Sequence, residues 1–272
     1  MLRVGELFAK KCKCFLWNCV PGDAGSAVRI EKPKDANDTN IVILPIPSFN
    51  KNGKLNAAHD TSAEALFELL PPKCKIFGGM ISKFIYRLAL EHGHTVFDYA
   101  DREDFNLFNA IPTAEAAILL AMENSVKTVN GGKFCIAGYG RIGKALSSRL
   151  TALGGKVTVT ARRYESLSEA ECFGCNSLAL SELHRSPPEC DAFFNTVPCL
   201  IFDIEDTKKW NCPLFIELAS APGGFTCEAR KYLEGKYISA LSLPGKYFPK
   251  TAGEIIYKTI NSLINTQGGQ KF

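Results

Sequence analysis

The sequence predicts an α/β protein of two doubly wound parallel-sheet domains, and three observations carry that expectation. Short apolar strand runs alternate with amphipathic helical stretches along most of the 272 residues, the pattern of parallel sheets covered by helices. One unit, Phe134-Cys-Ile-Ala-Gly138-Tyr139-Gly140-Arg141-Ile142-Gly143, passes from an apolar strand through G-x-G-x-x-G straight into a helical pattern. That is the arrangement of a Rossmann dinucleotide-binding domain. Between the two regions runs a long helix, Pro112 to Met122, with proline near its first turn. The expected division is a first α/β domain over 1–110, a linker helix over 111–130, the Rossmann domain over 131–247, and a C-terminal return helix with its tail over 248–272.

In the first domain, Asn40-Ile-Val-Ile-Leu44 is a buried-strand run closed by Pro45-Ile-Pro47. Thr61-x-x-Glu64 reads as a capping box opening a helix through Leu70, and Pro71-Pro72 stops it. Lys75-Ile-Phe77 is a strand ended by Gly78-Gly79, Ile81 to Glu91 is an amphipathic helix, and Thr95 to Tyr99 is a third strand. In the second domain, Ile142, Ala145, Leu146, Leu150 and Leu153 form an apolar stripe at helical spacing, ended by Gly154-Gly155. Strands follow at Lys156–Ala161, Asp191–Asn195, Pro213–Leu218 and Tyr237–Leu243, then a last helix from Thr251 to Ile264. The polar tail from Asn265 to Phe272 is expected to fray.

Composition narrows the function classes. With 46% hydrophobic and 22% charged residues and a dispersed net charge of +4, nothing marks a nucleic-acid surface. No apolar stretch is expected to reach the ~20 residues that span a bilayer, and the charged opening Met-Leu-Arg-Val-Gly-Glu is not a signal peptide, so a cytoplasmic protein is expected. Eleven cysteines, an odd number in a chain of this size, do not suit a disulfide framework. Cys12-x-Cys14 with Cys19, and Cys172-x-x-Cys175, are clustered but lack the paired ligand spacing of a zinc site. Reduced thiols and no metal are expected, with Cys135, Cys199 and Cys212 packing as small hydrophobes.

The cofactor loop is assigned to Gly138, Tyr139, Gly140, Arg141, Ile142 and Gly143, which bring backbone N–H groups to a pyrophosphate. NAD-specific folds place an acid at the end of the second strand to bind the ribose 2′-OH. Here that strand ends Thr160-Ala-Arg162-Arg163 with no acid before Glu165, and arginine suits a 2′-phosphate. Thr160, Arg162 and Arg163 therefore join the cofactor set and point to NADP, with NAD an open alternative. Asn195, Thr196, Val197 and Pro198 after the fourth strand, and Ala219 after the fifth, complete it.

Several loops together resemble the family of dipicolinate synthase A subunits. They are Ile111-Pro-Thr-Ala-Glu115, the glycine loop, Phe194-Asn-Thr-Val-Pro198, Leu218-Ala-Ser-Ala-Pro-Gly-Gly224, Leu243-Pro-Gly-Lys246 and Lys250-Thr-Ala-Gly253, with Asp98-Tyr-Ala-Asp-Arg-Glu-Asp-Phe105 ahead of them. The resemblance runs in order from about Ile41 to Leu263. It implies a flavodoxin-like first domain, a nicotinamide cofactor, and oxidation of a dihydrodipicolinate-type precursor to dipicolinate during endospore formation. It also implies a flavoprotein-like second subunit, with a homo-oligomer possible. Family members open with a strand and a glycine turn, whereas Arg3 to Lys10 already reads as the first helix. That first strand is expected to be missing.

A small dicarboxylate needs cations, a proton acceptor and a nicotinamide within reach. Lys246 and Lys250, in loops after the last strand, are the first candidates for the carboxylates, and Arg102 the next. Glu115 and Glu217, both expected to be partly buried, are candidate bases or else structural partners of Arg or Lys. Ser220 is a candidate for substrate or cofactor contact, and Gly78-Gly79-Met80 and Pro45-Ile-Pro-Ser48 for the facing wall. The histidines, His59, His92, His94 and His184, fall in polar or helix-end surroundings. None follows a late strand of the second domain, which argues against a D-2-hydroxyacid dehydrogenase. The alternative to an enzyme is a nucleotide-binding scaffold or regulatory subunit whose chemistry lies on a partner.

Overall fold

The computed structural model describes residues 1–36 and 38–267. The chain divides into two compact bodies, one of residues 1–108 with the described part of 249–272, the other of residues 109–248.

The first body opens with α1 (Leu2–Ala9), a two-residue parallel pair β1 (Phe15–Leu16) and β2 (Val28–Arg29), and a 3-10 turn over Pro33–Ala36. Its sheet is β3 (Ile41–Ile43), β4 and β5 in that order, all parallel, with α2 (Ala63–Leu69) leading to β4 (Lys75–Gly78) and α3 (Lys83–Glu91) to β5 (Thr95–Asp98). Neighbouring residues of a strand face opposite sides, and both Ile76 and Phe77 are buried. The sheet is therefore covered on both faces. Ile76 packs with Leu44, Leu66, Phe67 and Ile85, and Phe77 with Val4, Phe8, Tyr99 and Phe105.

The starts of α2 and α3 are set by serines. Ser62 Oγ accepts from Ala65 N at 3.2 Å and Ser82 Oγ from Ile85 N at 3.3 Å, satisfying orphan first-turn donors. The cap of α2 is thus Ser62, one residue after the expected Thr61. His94, expected in polar surroundings, is buried, with Nε2 3.2 Å from the Phe67 carbonyl; its ring fills core rather than facing water.

The helix α4 (Glu103–Glu123) corrects a boundary. It begins well before Pro112, which lies inside it, so the proline is not a first-turn residue. Acidic Glu103 and Asp104 in its first turn favour that earlier start. The proline's missing N–H leaves the Phe108 carbonyl without its helical partner, and the division between the bodies falls beside it, after Phe108. By length and composition α4 is also long and apolar enough to cross a membrane, against the expectation that no stretch would be, yet 56% of its apolar window is buried inside the protein. Ala114, Ala116, Ala117, Ile118, Leu120 and Ala121 all sit in the core of the second body.

In the second body, β6 (Lys133–Ala137), α5 (Arg141–Ala152), β7 (Lys156–Ala161), α6 (Tyr164–Cys172), β8 (Asn176–Ala179), α7 (Leu180–Arg185) and β9 (Ala192–Asn195) are followed by α8 (Ile204–Lys208), β10 (Phe215–Glu217), α9 (Cys227–Tyr232), β11 (Tyr237–Ser239) and α10 (Leu243–Tyr247). Six parallel strands form one sheet in the order β11-β10-β9-β6-β7-β8, the Rossmann order. One face is built on Ile136, Leu146, Leu150, Val159, Phe194 and Ile216. The other is aromatic: Phe193 stands edge-on to Trp210 at 4.4 Å and to Phe202 at 5.4 Å. Buried Cys135 and Cys212 belong to that second cluster, but Cys199 is exposed. It follows Pro198 in a loop, where no apolar layer covers it.

Besides α6 to α9, which the sequence pattern does not mark, two strands depart from it. The strand β8 is short and polar, and exists because Asn176–Ala179 pairs with Thr158–Ala161. The strand expected to reach Leu243 stops at Ser239, because Ser242 is left-handed (φ 58°) and Leu243 starts a helix. The last helix, α11 (Pro249–Gln267), returns to the first body, placing Ile256, Ile260 and Leu263 against Val4 and Phe8. It takes in Asn265–Gln267, so that part of the tail is helical; residues 268–272 lie outside the described residues.

Candidate functional site

The crevice of the second body lies beyond the carboxyl ends of β6 and β9, adjacent strands whose onward connections run to opposite sides of the sheet. Such a switch point is where open α/β sheets bind ligands. Gly138 leaves β6 with φ +94°, its N–H donating to the Thr160 carbonyl at 2.8 Å. A Cβ on Gly138 would meet Thr196 Oγ1, and one on Gly143 would run into the Gly138 carbonyl. A side chain at either position would force apart the turn and the first turn of α5.

A Cβ on Gly140, by contrast, would meet nothing within 4 Å. Gly140 is the N-cap of α5 and supplies no side-chain cap. The twelve-residue helix thus begins without a side-chain cap and with room beside Gly140, the setting that takes a phosphate. Beside it, Thr160 Oγ1 is buried without a hydrogen-bond partner, a donor a ligand would satisfy. These residues fit a dinucleotide.

At the end of β7, Arg162 and Arg163 are exposed and neither guanidinium bonds to another described residue. Glu165 lies beyond them in the first turn of α6. Along the chain, no carboxylate comes between the end of β7 and Glu165.

Other assigned residues take unexpected positions. Tyr139 is in the core with Leu146 and Ile136, and burial pushes its phenol above its ordinary range; its backbone, not its ring, is left for the ligand. Ile142 packs against the same core. Thr196 Oγ1 donates to the Ala137 carbonyl at 2.8 Å, holding the loop after β9 against β6. Asn195 is fully buried, its amide spent on Val197 and Glu217, so it acts through the loop. Val197 leans on the aromatic cluster, Pro198 is exposed and Ala219 is buried.

The catalytic candidates divide. Glu115 is half exposed and paired with Arg149 at 3.2 Å, because α4 turns its alanines inward and this residue outward. It is not the desolvated carboxylate expected. Glu217 is: it is 3% exposed, and burial pushes its carboxyl above the ordinary glutamate range. Its partners are not Arg or Lys but Asn195 Nδ2 at 2.7 Å, Ala219 N at 3.0 Å and Gly224 N at 2.8 Å. Arg102 is committed to Asp104 through two hydrogen bonds, at 3.0 and 2.8 Å. Ser220 is exposed in its loop, its carbonyl accepting from Gly223 N. Lys246 and Lys250 are exposed on helices rather than in loops, Lys246 on α10 in the second body and Lys250 on the first turn of α11 in the first. The remaining histidine of the second body, His184, lies on α7 and is paired with Asp206 at 2.9 Å.

Comparison with known proteins places both bodies. Residues 14–100 match the family described as the N-terminal domain of the dipicolinate synthase A subunit, and residues 116–200 match the D-isomer specific 2-hydroxyacid dehydrogenase NAD binding domain. The dipicolinate synthase A subunit of Bacillus subtilis (strain 168) is 29% identical over 231 residues, covering 82% of this chain and 77% of that one. The crystal structure of the dipicolinate synthase A subunit from Bacillus halodurans superposes with a TM-score of 0.83 at 26% identity, covering 97% of this chain and 93% of that one. The crystal structure of its counterpart from Bacillus subtilis does so with 0.82 at 25%, covering 99% and 94%.

Proposed function

Because the chain resembles the dipicolinate synthase A subunit in both of its bodies and carries a dehydrogenase NAD-binding domain, we propose that it is an NADP-dependent oxidoreductase that oxidises a dihydrodipicolinate-type dicarboxylate to dipicolinate in endospore formation. The observation that carries the reading is the uncapped N-terminus of α5 with room beside Gly140, together with two arginines at the end of β7 whose guanidiniums bond to no other described residue. The first suits a pyrophosphate and the second a 2′-phosphate.

The chemistry the dinucleotide supplies when bound is acceptance of a hydride. One hydride and one proton leave the ring, which becomes aromatic, and the products are dipicolinate, reduced dinucleotide and a proton. The chain's own residues hold and orient. The first turn of α5 anchors the pyrophosphate, Arg162 and Arg163 the 2′-phosphate, and Lys246 offers charge to a substrate carboxylate. With Glu115 ion-paired, Ser220 is the remaining candidate in the loop after β10 for contact with the reacting part. The relative is itself named as a subunit of a synthase, which supports a complex with a second subunit; the reading takes that subunit to be flavoprotein-like and the complex to be cytoplasmic.

A specific observation favours a second reading: Glu217, the one buried carboxylate among the described residues, has its oxygens occupied by three donors. In that reading the chain binds nucleotide as a scaffold or regulator and the partner does the chemistry. The test uses the full chain alone and with the flavoprotein-like partner, given NADP and freshly prepared precursor. Dipicolinate and NADPH appearing in equal amounts support the oxidoreductase. Dipicolinate formed without NADPH, or no binding of NADP, overturns it.

A further inference from the structure

Glu217 ends β10 with its carboxylate buried, and among the described residues no lysine or arginine nitrogen lies within ion-pair distance of it. Burying an unpaired carboxylate is costly, and an apolar residue would serve the core of this strand better. Its three hydrogen bonds show what the charge does. Oε1 accepts from Asn195 Nδ2 at the end of β9 and from Ala219 N, and Oε2 accepts from Gly224 N at the far end of the loop after β10. Asn195 in turn grips the loop after β9, Nδ2 donating to the Val197 carbonyl at 3.0 Å and Oδ1 accepting from Val197 N at 3.1 Å. A Cβ on Gly224 would overlap the Asn195 amide, so the loop can close on the pair only with glycine there.

One carboxylate and one amide thus lock loops 196–198 and 218–224 to each other. With pyrophosphate on α5 and adenosine toward β7, the other half of a dinucleotide extends over β9 and β10, onto these two loops. We propose that Glu217 is a positioning residue for the nicotinamide half of the cofactor: with Asn195 it clamps the two loops into the surface against which that half docks. The inference rests on the dinucleotide reading of the site.

The test compares NADP with adenosine 2′,5′-bisphosphate, which carries the adenosine half alone, by calorimetric titration of the full chain. Glu217→Gln keeps the shape but puts an N–H2 against one of the three donors. The expected result is a Kd for NADP raised about tenfold or more, with the Kd for the bisphosphate within about twofold of wild type. Equal losses for both ligands, or no loss for either, overturn the clamp. Wild-type protein that binds neither ligand overturns the dinucleotide reading and the clamp with it, an outcome distinct from wild-type binding that Glu217→Gln leaves unchanged. Where circular dichroism shows Glu217→Gln unfolded, Asn195→Ser, which removes the amide bridge and keeps the carboxylate, carries the same expectation and the same refutation.

Discussion

Replacing Arg162 and Arg163 by alanine separates the adenosine 2′-phosphate from everything else the chain binds. Both side chains are exposed and neither is paired with a described residue, so truncation removes no hydrogen bond or ion pair among the described residues. Unfolding free energy should move by no more than about 0.5 kcal/mol. A 2′-phosphate adds oxygens and negative charge that guanidinium binds well, and a charge-assisted hydrogen bond contributes about 1.5–3 kcal/mol. Solvent screening at these open positions holds each arginine to the lower end, about 1.5 kcal/mol, or roughly tenfold in Kd. The double variant should therefore bind NADP about a hundredfold more weakly and NAD within about twofold of wild type. Titration calorimetry at low ionic strength measures both, and repetition at higher salt should narrow the wild-type preference for NADP while leaving the variant's ratio nearly unchanged. Equal losses for the two nucleotides, or a wild type that prefers NAD, would refute the argument.

Gly143→Ala places a methyl group against the Gly138 carbonyl; it should destabilise the second body by about 1–3 kcal/mol and weaken both nucleotides, seen in thermal melts and titrations. Phe193→Ala empties a fully buried site ringed by Phe202, Trp210, Phe215 and Phe225, and urea unfolding should show a loss of about 3–5 kcal/mol. The pH dependence of stability should carry a mark of Glu217. Burial raises its carboxyl above the ordinary glutamate range, and the hydrogen bonds from Gly224, Asn195 and Ala219 only partly offset this. A carboxyl raised in the folded state holds more protons there than in the unfolded chain. Its contribution is therefore most favourable in acid and declines as pH rises from the ordinary glutamate range through the raised value. Melts of wild type and Glu217→Gln across that window should show wild type losing ground with rising pH; a difference that is flat or runs the other way contradicts it.

Much of the second body is legible in order along the chain. Phe134 to Gly143 is legible as a strand, a turn and a helix start because residue type and spacing lie within ten neighbouring residues, and the Gly143 demand, the Gly138 carbonyl, lies there too; the demand at Gly138 comes from Thr196, far along the chain. The stripe from Ile142 to Leu150 is read equally directly, since helical spacing alone turns it to the sheet. The strand β8 is not legible, because Asn176–Ala179 owes its conformation to the edge of β7 rather than to its own composition. The start of α4 is hidden for a similar reason. Pro112 signals a first turn, but Phe105 is buried against Tyr99 and carries the helix back to Glu103.

The sequence by itself determined the α/β class, the glycine loop and the arginines that follow the second strand of its unit. These depend on residue type and near-neighbour spacing. Only the tertiary structure decided how the carboxylates behave, because burial and partners come from segments far apart in the chain. Glu115 is turned outward onto Arg149, and Glu217 is buried against an amide contributed by β9. The two look alike as letters in apolar runs. Which of them keeps its water is settled by the packing of helix and sheet around it.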